Sequence, residues 1–310
     1  MRILLTGSSG QLGLALRASL PERIHGDPVD LIATSRNVDT AKGLETLDLA
    51  DADACRDAIH RHQPDWVLNA GAYTAVDRAE AEPELAHAVN GGAPRALAEA
   101  LAATSSKARF LQISTDFVFS GEQGYPYQPE QQLSPLGIYG ASKASGEQAV
   151  REILGVGLDG RASILRTSWV YGPVGSNFLL TMLRLHAQKA EAAEPLRVVA
   201  DQLGCPTATF GLAQACWAVI GNEVSGVLQW SDAGAASWYD FAVAIGEIGQ
   251  ATGLLERAAD VQPICTAEYP TPAKRPSYSL LECNSTRLLL DLTPRHWRSA
   301  LQEVMCHVET

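Results

Sequence analysis

Short apolar runs alternate with longer amphipathic stretches along the first half of the chain. The apolar runs have the length of strands, and the stretches between them carry apolar residues at helical spacing. Strands are predicted at 2–6, 30–34, 45–49, 65–70 and 108–115, and helices at 12–20, 52–62 and 83–104. Strand and helix in alternation form β-α-β units, which bury a parallel sheet between two layers of helices. The pattern therefore predicts an α/β fold with a doubly wound, Rossmann-like parallel sheet.

After residue 150 the alternation becomes less regular. Strands are predicted at 162–173, 196–201 and 226–231, and helices at 177–190, 209–220, 238–250 and 297–308. Neither an internal repeat nor a low-complexity linker separates the two halves. The second half is therefore predicted to be a smaller lobe, partly interwoven with the first.

Composition and charge narrow the range of partners. The chain has 310 residues and a formal net charge of −11, so a nucleic-acid backbone would be repelled, although a small anionic ligand remains compatible. An apolar run of the roughly 18 residues that a membrane span needs is missing, and the N-terminal apolar run is too short for a signal peptide. The 6 cysteines are scattered without C-x-x-C spacing. We therefore expect a cytoplasmic protein with free thiols, no nucleic-acid partner and no membrane anchor.

The stretch "TGSSGQLG" places Gly7, Gly10 and Gly13 between the first strand and the first helix. Gly7 would allow a tight turn, Gly10 would let the backbone approach a pyrophosphate, and Gly13 would let the helix pack closely on the sheet. The spacing differs from the commoner G-x-G-x-x-G, and a plain structural turn is the alternative. We expect a dinucleotide-binding domain at 1–165, to which about 200–235 can return, and mainly a substrate lobe at 166–310.

The end of the second strand bears on the choice of cofactor. An acidic residue that would bind the ribose 2′-hydroxyl of NADH is replaced here by Ser35 and Arg36. Because an arginine can pair with a 2′-phosphate, NADPH is the expected cofactor, and use of NADH remains open. Asp48 can accept a hydrogen bond from the adenine amino group, or it can cap the helix that follows.

The fifth strand and the following helix carry the candidate chemistry. Thr115 ends the strand, where ligands lie in open parallel sheets. Tyr139 and Lys143 in "PLGIYGASKASGE" are four residues apart, so they share one helix face. Hydride addition to a ketone creates an alkoxide that needs a proton, and a nearby ammonium would lower the pKa of a phenol toward that task. We hypothesise that Tyr139 donates the proton, that Lys143 acidifies it and holds the nicotinamide ribose, and that Thr115 binds the carbonyl oxygen.

Several motifs along the chain match one family. They include "VLNAGAYTAVDRAEAEPELAHAVN", "ISTDFVFSG", "SPLGIYGASKASGE", "LRTSWVYG", "ADQLGCPT" and "TPAKRPSYS". With the glycine loop they extend from residue 3 to about 279, and the chain resembles the extended short-chain dehydrogenase/reductases that act on sugar nucleotides. The resemblance implies that NAD(P)H reduces the 4-keto carbon of dTDP-6-deoxy-L-lyxo-4-hexulose to give dTDP-L-rhamnose. It also implies that a homodimer can form.

The resemblance assigns roles residue by residue. Catalysis falls to Thr115, Tyr139 and Lys143. The implied cofactor contacts are Gly7, Gly10, Gln11, Leu12, Gly13, Ser35, Arg36, Asp48, Leu49, Asn69, Ala70, Gly71, Ala72, Tyr73, Asn90, Tyr139 and Lys143. The implied substrate contacts are Asp116, Phe117, Trp169, Asn177, Gln202, Pro206, Thr207 and Arg275.

The chain also departs from its relatives. Phe117 stands where many have tyrosine, and Tyr278 stands where asparagine is usual. Some members bind magnesium through a glutamate in the first helix, where this chain has Ala15, so no metal site is predicted. A related epimerase or dehydratase, or a non-catalytic NADP-binding regulatory subunit, remains an alternative. The intact tyrosine and lysine disfavour the regulatory subunit.

Overall fold

The computed structural model describes residues 1–37 and 43–308. The strands are β1 (Arg2–Thr6), β2 (Arg23–Ile24), β3 (Asp27–Pro28), β4 (Asp30–Ser35), β5 (Glu45–Thr46), β6 (Trp66–Asn69), β7 (Arg109–Thr115), β8 (Ala162–Thr167), β9 (Val170–Tyr171), β10 (Leu196–Val199), β11 (Leu203–Gly204), β12 (Thr207–Ala208), β13 (Gly226–Trp230), β14 (Ala236–Ser237) and β15 (Val261–Ile264). Seven of them form one parallel sheet in the order β13-β8-β7-β6-β1-β4-β5.

The helices follow the predicted periodicity closely. They are α1 (Gln11–Ala18), α2 (Ala52–His62), α3 (Val76–Ala79), α4 (Pro83–His87), α5 (Ala93–Thr104), α6 (Ile138–Leu154), α7 (Phe178–Glu191), α8 (Thr209–Gly221), α9 (Trp238–Ala251), α10 (Asn284–Leu290) and α11 (Trp297–Met305). The long helix predicted at 83–104 is continuous but is divided by a π-helical turn at Ala88–Gly92. The short α3 and α10 were not predicted, because one or two turns carry too little periodicity to be detected.

Both faces of the sheet are covered by helices, as the alternating pattern predicts. On one face, α1 and α8 bury Leu16 and Leu212 against the apolar side chains of β1 and β7. On the other face, α2 and α5 bury Ile59 and Leu97 against Leu4. The predicted doubly wound α/β fold is thus confirmed.

The strand order places a crevice between β1 and β6. The chain winds from β1 toward β4 on one side and from β6 toward β7 on the other, so the connections leave the sheet in opposite directions at this point. Thr6 pairs with Asn69 in the register, and the polar ends of both strands face the crevice. In open α/β sheets this position is where ligands bind.

A second core lies outside the sheet domain. It is formed by α7, α9 and α11, which bury Met182, Phe241 and Leu301 beside the parallel pair β10–β15. Between β10 and α9 the chain returns to the sheet domain, where α8 packs on the sheet and β13 pairs with β8. The exact division into domains stays a prediction.

The length and apolarity of the helices bear on membrane insertion. Within the two described ranges, none is both long and apolar enough to cross a membrane.

Candidate active site

The glycine loop forms a tight cradle at the start of α1. Gly7 has φ of +68°, and a Cβ there would lie 2.5 Å from the Cα of Gly71. A Cβ on Gly13 would lie 2.2 Å from the carbonyl oxygen of Gly7. Both positions therefore exclude a side chain, for the reasons expected of a turn and of close helix packing. Gly10 is more open, since a Cβ there would lie 3.3 Å from its nearest neighbour, and its backbone is accessible to a ligand.

A row of polar side chains ties together the carboxyl ends of three strands beneath this cradle. Thr6 donates to Asn69 Oδ1 at 2.6 Å, and Asn69 Nδ2 donates to Gln112 Oε1 at 2.8 Å. The backbone N–H of Gly71 donates in turn to Thr6 Oγ1 at 3.0 Å. These buried bonds fix the turn at residues 69–71 against the glycine loop. Gln112 was not predicted from the sequence, because its role depends on which strands are neighbours.

The adenosine end of the crevice carries the residues that the sequence singled out. Ser35 is buried at the end of β4 and hydrogen-bonds Ser9 across the crevice at 2.7 Å, whereas Arg36 is exposed. Asp48 is also exposed and accepts from the N–H of Ala50. The cap of α2 is Asp51, not Asp48. The capping alternative for Asp48 is therefore wrong, and its carboxylate remains exposed at this end of the crevice.

Asn90 lies beside the site but uses its whole amide internally. Its Oδ1 accepts from the N–H of Tyr73, and its Nδ2 donates to the carbonyl of Tyr73 and to Ser142 Oγ. Asn90 thus clamps the 69–73 turn to α6. The Tyr73 hydroxyl points away, to Glu82, at 2.6 Å. Asn90 thus has a positioning role in this structure, and its predicted contact with the cofactor stays a prediction.

Helix α6 packs closely against two neighbouring backbone segments at glycine positions. A Cβ on Gly140 would lie 2.2 Å from the carbonyl oxygen of Phe117, and a Cβ on Gly146 would lie 2.2 Å from that of Asn90. The helix starts at Ile138, whose N–H donates to Glu80 Oε1 at 2.8 Å. A carboxylate at this end also complements the helix dipole. These contacts set the position of Tyr139 relative to β7.

The three predicted catalytic residues converge at the carboxyl end of β7. Thr115 is buried, and it lies near enough to the half-buried Tyr139 to affect the pKa of that phenol. Lys143 is buried one helical turn further, and its Nζ donates to the carbonyl of Ile113 at 2.6 Å. Burial lowers the pKa of Lys143 to about 8, against a smaller opposite effect of Glu147. The ammonium is therefore mostly charged at neutral pH.

The expectation that Tyr139 is acidified is wrong in this structure. Burial raises the pKa of Tyr139 to about 12, the Thr115 hydroxyl lowers it by less, and the nearby Asp116 raises it further. Lys143 does not contribute, since its ammonium is directed to the carbonyl of Ile113. Tyr139 and Lys143 thus lie on one helix face, but the ammonium of Lys143 is not hydrogen-bonded to the phenol of Tyr139.

A buried ion pair under the site was missed by sequence reasoning. Arg166 of β8 makes a two-pronged contact with Glu147 of α6, with Nη2 to Oε2 at 2.7 Å and Nε to Oε1 at 2.9 Å. Arg166 also donates to the carbonyl of Pro129. Both partners are about 1% exposed, so removal of either would leave a buried charge without its counterion. Glu147 is visible in the stretch "SGE", but the sequence does not show that Arg166 is its partner.

Two predicted substrate residues follow Thr115 in a single 3-10 turn. Phe117 packs edge-on against Tyr139, with ring centroids 5.5 Å apart. Asp116 is 2% exposed and accepts from Thr115 Oγ1 at 3.0 Å. Asp116 therefore faces inward toward the catalytic threonine, while Phe117 borders the tyrosine that would meet a substrate.

Trp169 is the residue that we predict to form an apolar wall for the sugar ring. Its ring stacks on Trp238 at 3.5 Å, and a Cβ on Gly204 would lie 2.6 Å from the same ring. Its backbone has φ of +46°, which is unfavourable for a bulky residue and is characteristic of functional sites. The half-buried ring is consistent with the predicted apolar wall, and Gly204 is the residue that makes room for it.

Asn177 and Gln11 hydrogen-bond each other. Asn177 Oδ1 caps α7 by accepting from Leu180, and its Nδ2 donates to Gln11 Oε1 at 2.8 Å and to the carbonyl of Gly172. Gln11 Nε2 donates to the carbonyl of Ser176. The two amides join the glycine loop to the start of α7, and the predicted contact of Asn177 with the sugar stays a prediction.

Of the remaining predicted substrate residues, Gln202 and Arg275 bind other side chains, whereas the buried hydroxyl of Thr207 has no hydrogen-bond partner among the described residues. Gln202 is buried and donates to Thr266 Oγ1 at 3.1 Å, and Thr207 has no exposed surface. Pro206 is buried between them. Arg275 forms an ion pair with Asp77 at 2.6 Å but keeps 25% of its side chain exposed. Of these residues, Arg275 alone presents a polar group at the surface that a diphosphate could reach.

The crevice fits a dinucleotide better than it fits a metal ion. The cradle formed by Gly7, Gly13 and Gly71 has no room for side chains, and N–H groups at the start of α1 face it, as pyrophosphate binding requires. Within residues 1–37 and 43–308, no group of three or more His, Cys, Asp and Glu side chains is arranged to hold a metal ion. The absence of a metal site stays a prediction.

Comparison with known proteins places the chain in a family. A family model described as the RmlD substrate binding domain matches residues 1–310. The spore coat polysaccharide biosynthesis protein SpsK of Bacillus subtilis is 38% identical over 307 residues, 98% of this chain and 96% of that protein. The dTDP-4-dehydrorhamnose reductase of Aggregatibacter actinomycetemcomitans is 36% identical over 314 residues, 99% of each chain.

A solved structure agrees with the sequence relatives. The dTDP-4-dehydrorhamnose reductase of Bacillus anthracis, crystallised in complex with NADP, superimposes with a TM-score of 0.83 at 31% identity and with 99% of each chain covered. The expected resemblance is thus confirmed over the whole chain, including the substrate lobe. This chain belongs to the family of the RmlD substrate binding domain, whose members include dTDP-4-dehydrorhamnose reductases.

Proposed function

We propose that this chain uses NADPH to reduce the 4-keto group of dTDP-6-deoxy-L-lyxo-4-hexulose, giving dTDP-L-rhamnose. The observation that carries the proposal is the convergence of Thr115, Tyr139 and Lys143 beside the glycine cradle. Family membership, and relatives named for this reduction over the full length, support the choice of substrate.

The chain's own residues supply the proton and hold the substrate. Tyr139 donates its proton to the oxygen of the 4-keto group, and Lys143 holds the ribose hydroxyls of the cofactor. Trp169 forms an apolar wall against the deoxy-sugar ring, and Arg275 pairs with the diphosphate after release from Asp77. Bound NADPH supplies the hydride.

The positive charge of Arg36, directly after β4, supports NADPH as the cofactor. The exposed guanidinium of Arg36 is adjacent to the buried Ser35, at the position where a 2′-phosphate would lie. The related B. anthracis enzyme, crystallised with NADP, supports this assignment. We also propose that the enzyme acts in the cytoplasm and can form a homodimer, both on sequence grounds.

The reaction is tested by incubating the protein with the 4-keto sugar nucleotide and NADPH. We expect one equivalent of NADPH to be oxidised for each equivalent of L-rhamnose nucleotide formed. An epimerase or a dehydratase would regenerate its cofactor, and a regulatory subunit would leave the absorbance unchanged, so either result would reject the reductase.

Substitution of Tyr139 tests the assignment of the proton donor. Tyr139→Phe removes the donated proton, so kcat should fall by about 10²-fold or more while NADPH still binds. Tyr125→Phe is the matched control, because Tyr125 is 62% exposed and has no assigned role in the site. Equal turnover in both variants would remove Tyr139 from the mechanism.

A further inference from the structure

Lys143 shares its hydrogen-bond acceptor with a glutamine of β7. The Nζ of Lys143 donates to the carbonyl oxygen of Ile113 at 2.6 Å, and the Nε2 of Gln112 donates to the same oxygen at 2.8 Å. A carbonyl oxygen has two lone pairs, which lie on opposite sides of the C=O axis. Gln112 therefore occupies one of the two sides from which a donor can approach Ile113, and the ammonium is confined to the other.

The direction of the Ile113 carbonyl follows from the pairing of β7. In a parallel sheet, alternate residues of a strand direct their N–H and C=O groups to the same neighbouring strand. The N–H of Arg109 donates to the carbonyl of Asp65, which directly precedes β6. Ile113 is four residues further along β7, so its carbonyl is also directed to the β6 side of the strand.

On that side, β7 extends beyond its neighbour. β6 ends at Asn69, which pairs with Gln112 in the register, so the regular ladder stops before Ile113. The N–H of Gly71, two residues after the end of β6, donates to Thr6 Oγ1 at 3.0 Å. The carbonyl of Ile113 is therefore open to donors from side chains.

A row of buried polar side chains fixes the orientation of Gln112. Thr6 donates to Asn69, Asn69 donates to Gln112, and Gln112 donates to Ile113, along register neighbours of three adjacent strands. The N–H of Gly71 at one end can only donate, and the carbonyl of Ile113 at the other end can only accept. Both amides therefore have a single allowed orientation, and each of the three side chains is at most 2% exposed.

The carboxylate that follows Lys143 on the same helix face is engaged elsewhere. Glu147 lies one helical turn further along α6, and its two oxygens accept from Arg166 and Ser114. Within residues 1–37 and 43–308, the carbonyl of Ile113 is the acceptor found for the Lys143 ammonium. An ammonium has three protons, so two are left for a ligand in the crevice.

We propose that Gln112 is a positioning residue for Lys143. By occupying one side of the Ile113 carbonyl, Gln112 keeps the ammonium on the other side, where its free protons meet the ribose hydroxyls of the bound dinucleotide. Gln112 acts through Lys143 and not by contact with either ligand. The inference rests on the proposed function, which assigns Lys143 to the ribose.

Binding of NADPH to Gln112→Met tests this role. Methionine is similar in length but cannot donate, so the ammonium can move to the vacated side of the carbonyl. The dissociation constant of NADPH, measured by fluorescence titration, should rise by about tenfold. In a Lys143→Met background the same change should alter it by less than about twofold, because the group through which Gln112 acts is gone. Equal losses in both backgrounds would overturn the inference, since they would show that Gln112 acts through folding or through the turn at residues 69–71.

Gln229→Met is the matched control. Gln229 is a glutamine of β13 in the same sheet and has no exposed surface, and neither polar atom of its amide has a hydrogen-bond partner in the described part of the chain. This variant should leave the dissociation constant of NADPH unchanged. A loss as large as that of Gln112→Met would show that the effect comes from replacing a buried amide, and it would reject the positioning role.

Steady-state kinetics separate a displaced lysine from a damaged sugar site. Lys143 is assigned to the ribose and not to the sugar, so Gln112→Met should lower kcat by about tenfold or more while KM for the keto sugar changes little. A raised KM with unchanged kcat would contradict the inference.

A measurement without cofactor covers the case in which Gln112→Met does not fold. In nitrogen-15 NMR of the glutamine-labelled chain, the side-chain amide of Gln112 should shift in Lys143→Met, which removes the other donor to its acceptor. Gln148, which is exposed on α6 and bonded to Glu152, should not shift. An unchanged Gln112 signal would refute the inference. If the parent chain reduces no keto sugar, the proposed function fails, while the NADPH titrations and this spectrum still decide the role of Gln112.

Discussion

Ser35 ends β4 and Arg36 follows it, at the place where we predict the adenosine ribose of a bound dinucleotide. Ser35 is buried and bonded to Ser9 of the glycine loop, so it fixes the shape of the crevice at this point. Arg36 is exposed, and its guanidinium can form a two-pronged contact with a phosphate. Selection between the two nicotinamide cofactors is therefore expected to depend on one side chain.

Arg36→Ala should weaken NADPH binding by about 10- to 100-fold, the range expected when charge-assisted hydrogen bonds are lost. NADH lacks the 2′-phosphate, so its affinity should hardly change. Titration of each cofactor by protein fluorescence gives the two dissociation constants. Arg56→Ala is the control, because Arg56 pairs with Asp53 on the exposed side of α2. Equal losses for both cofactors would contradict the assignment.

Among the secondary-structure elements, α6 shows how small residues position chemistry. Gly140 contacts the carbonyl of Phe117 and Gly146 contacts the carbonyl of Asn90, at distances that no Cβ can tolerate. Glycine normally weakens a helix. We attribute Gly140 and Gly146 to the close packing that only a residue without a Cβ allows. The helix carries Tyr139 and Lys143 on the face that these contacts press onto β7.

Gly140→Ala should destabilise the protein by about 1–3 kcal/mol, because overpacking outweighs the better helix propensity of alanine. It should also lower kcat, since α6 must move away from the turn that holds Thr115. Gly221→Ala is the control: Gly221 is the last residue of α8, and a Cβ there would meet nothing within 4 Å. That change should leave kcat unaltered and stability equal or higher. Urea unfolding and steady-state kinetics measure both effects, and matching results for the two variants would refute the packing argument.

Across the molecule as a whole, the two lobes are joined on either side of the cleft. Gln11 and Asn177 connect the glycine loop with the start of α7, and Asp77 and Arg275 connect α3 with the segment before Tyr278.

Within the second lobe, His186 has no exposed surface and joins two segments of the chain. Its Nε2–H donates to the carbonyl of Ala242 and its Nδ1 accepts from the N–H of Ala259, so the ring is neutral.

Burial lowers the pKa of His186 below its ordinary value of about 6.5. Below about pH 6.5 the His186 ring therefore binds a proton in the unfolded chain but stays neutral in the folded chain. The stability that the neutral ring contributes is lost as the pH falls through this range. The free energy of unfolding should drop by up to about 1.4 kcal/mol per pH unit through this group. Urea unfolding at several pH values should show a smaller drop in His186→Gln than in the parent.

His60→Gln is the control for that comparison, because His60 is exposed on α2. Contributions of Asp116 and Asp232, whose raised pKa values act in the opposite direction, are common to parent and variants and cancel in the difference. The same slope in all three proteins would show that His186 is not the group responsible.

The fold class, the glycine loop and the order of Thr115, Tyr139 and Lys143 could all be predicted from the amino-acid sequence. These features are local, since periodicity sets the elements, and a strand followed by glycines and a helix carries its own physical signature. The relation of Tyr139 to Lys143 needed only the pitch of a helix.

The roles of the polar groups around them became clear only from how the chain packs in three dimensions. Asn177, Gln202 and Arg275, which are predicted to contact the substrate, also bind other parts of the chain, because partners far apart in sequence become neighbours on folding. The pKa of Tyr139 rises although a lysine is near, because burial is a property of the whole packed molecule. Asp116 was visible in the sequence, but its burial was not, since burial depends on elements that are far apart in sequence.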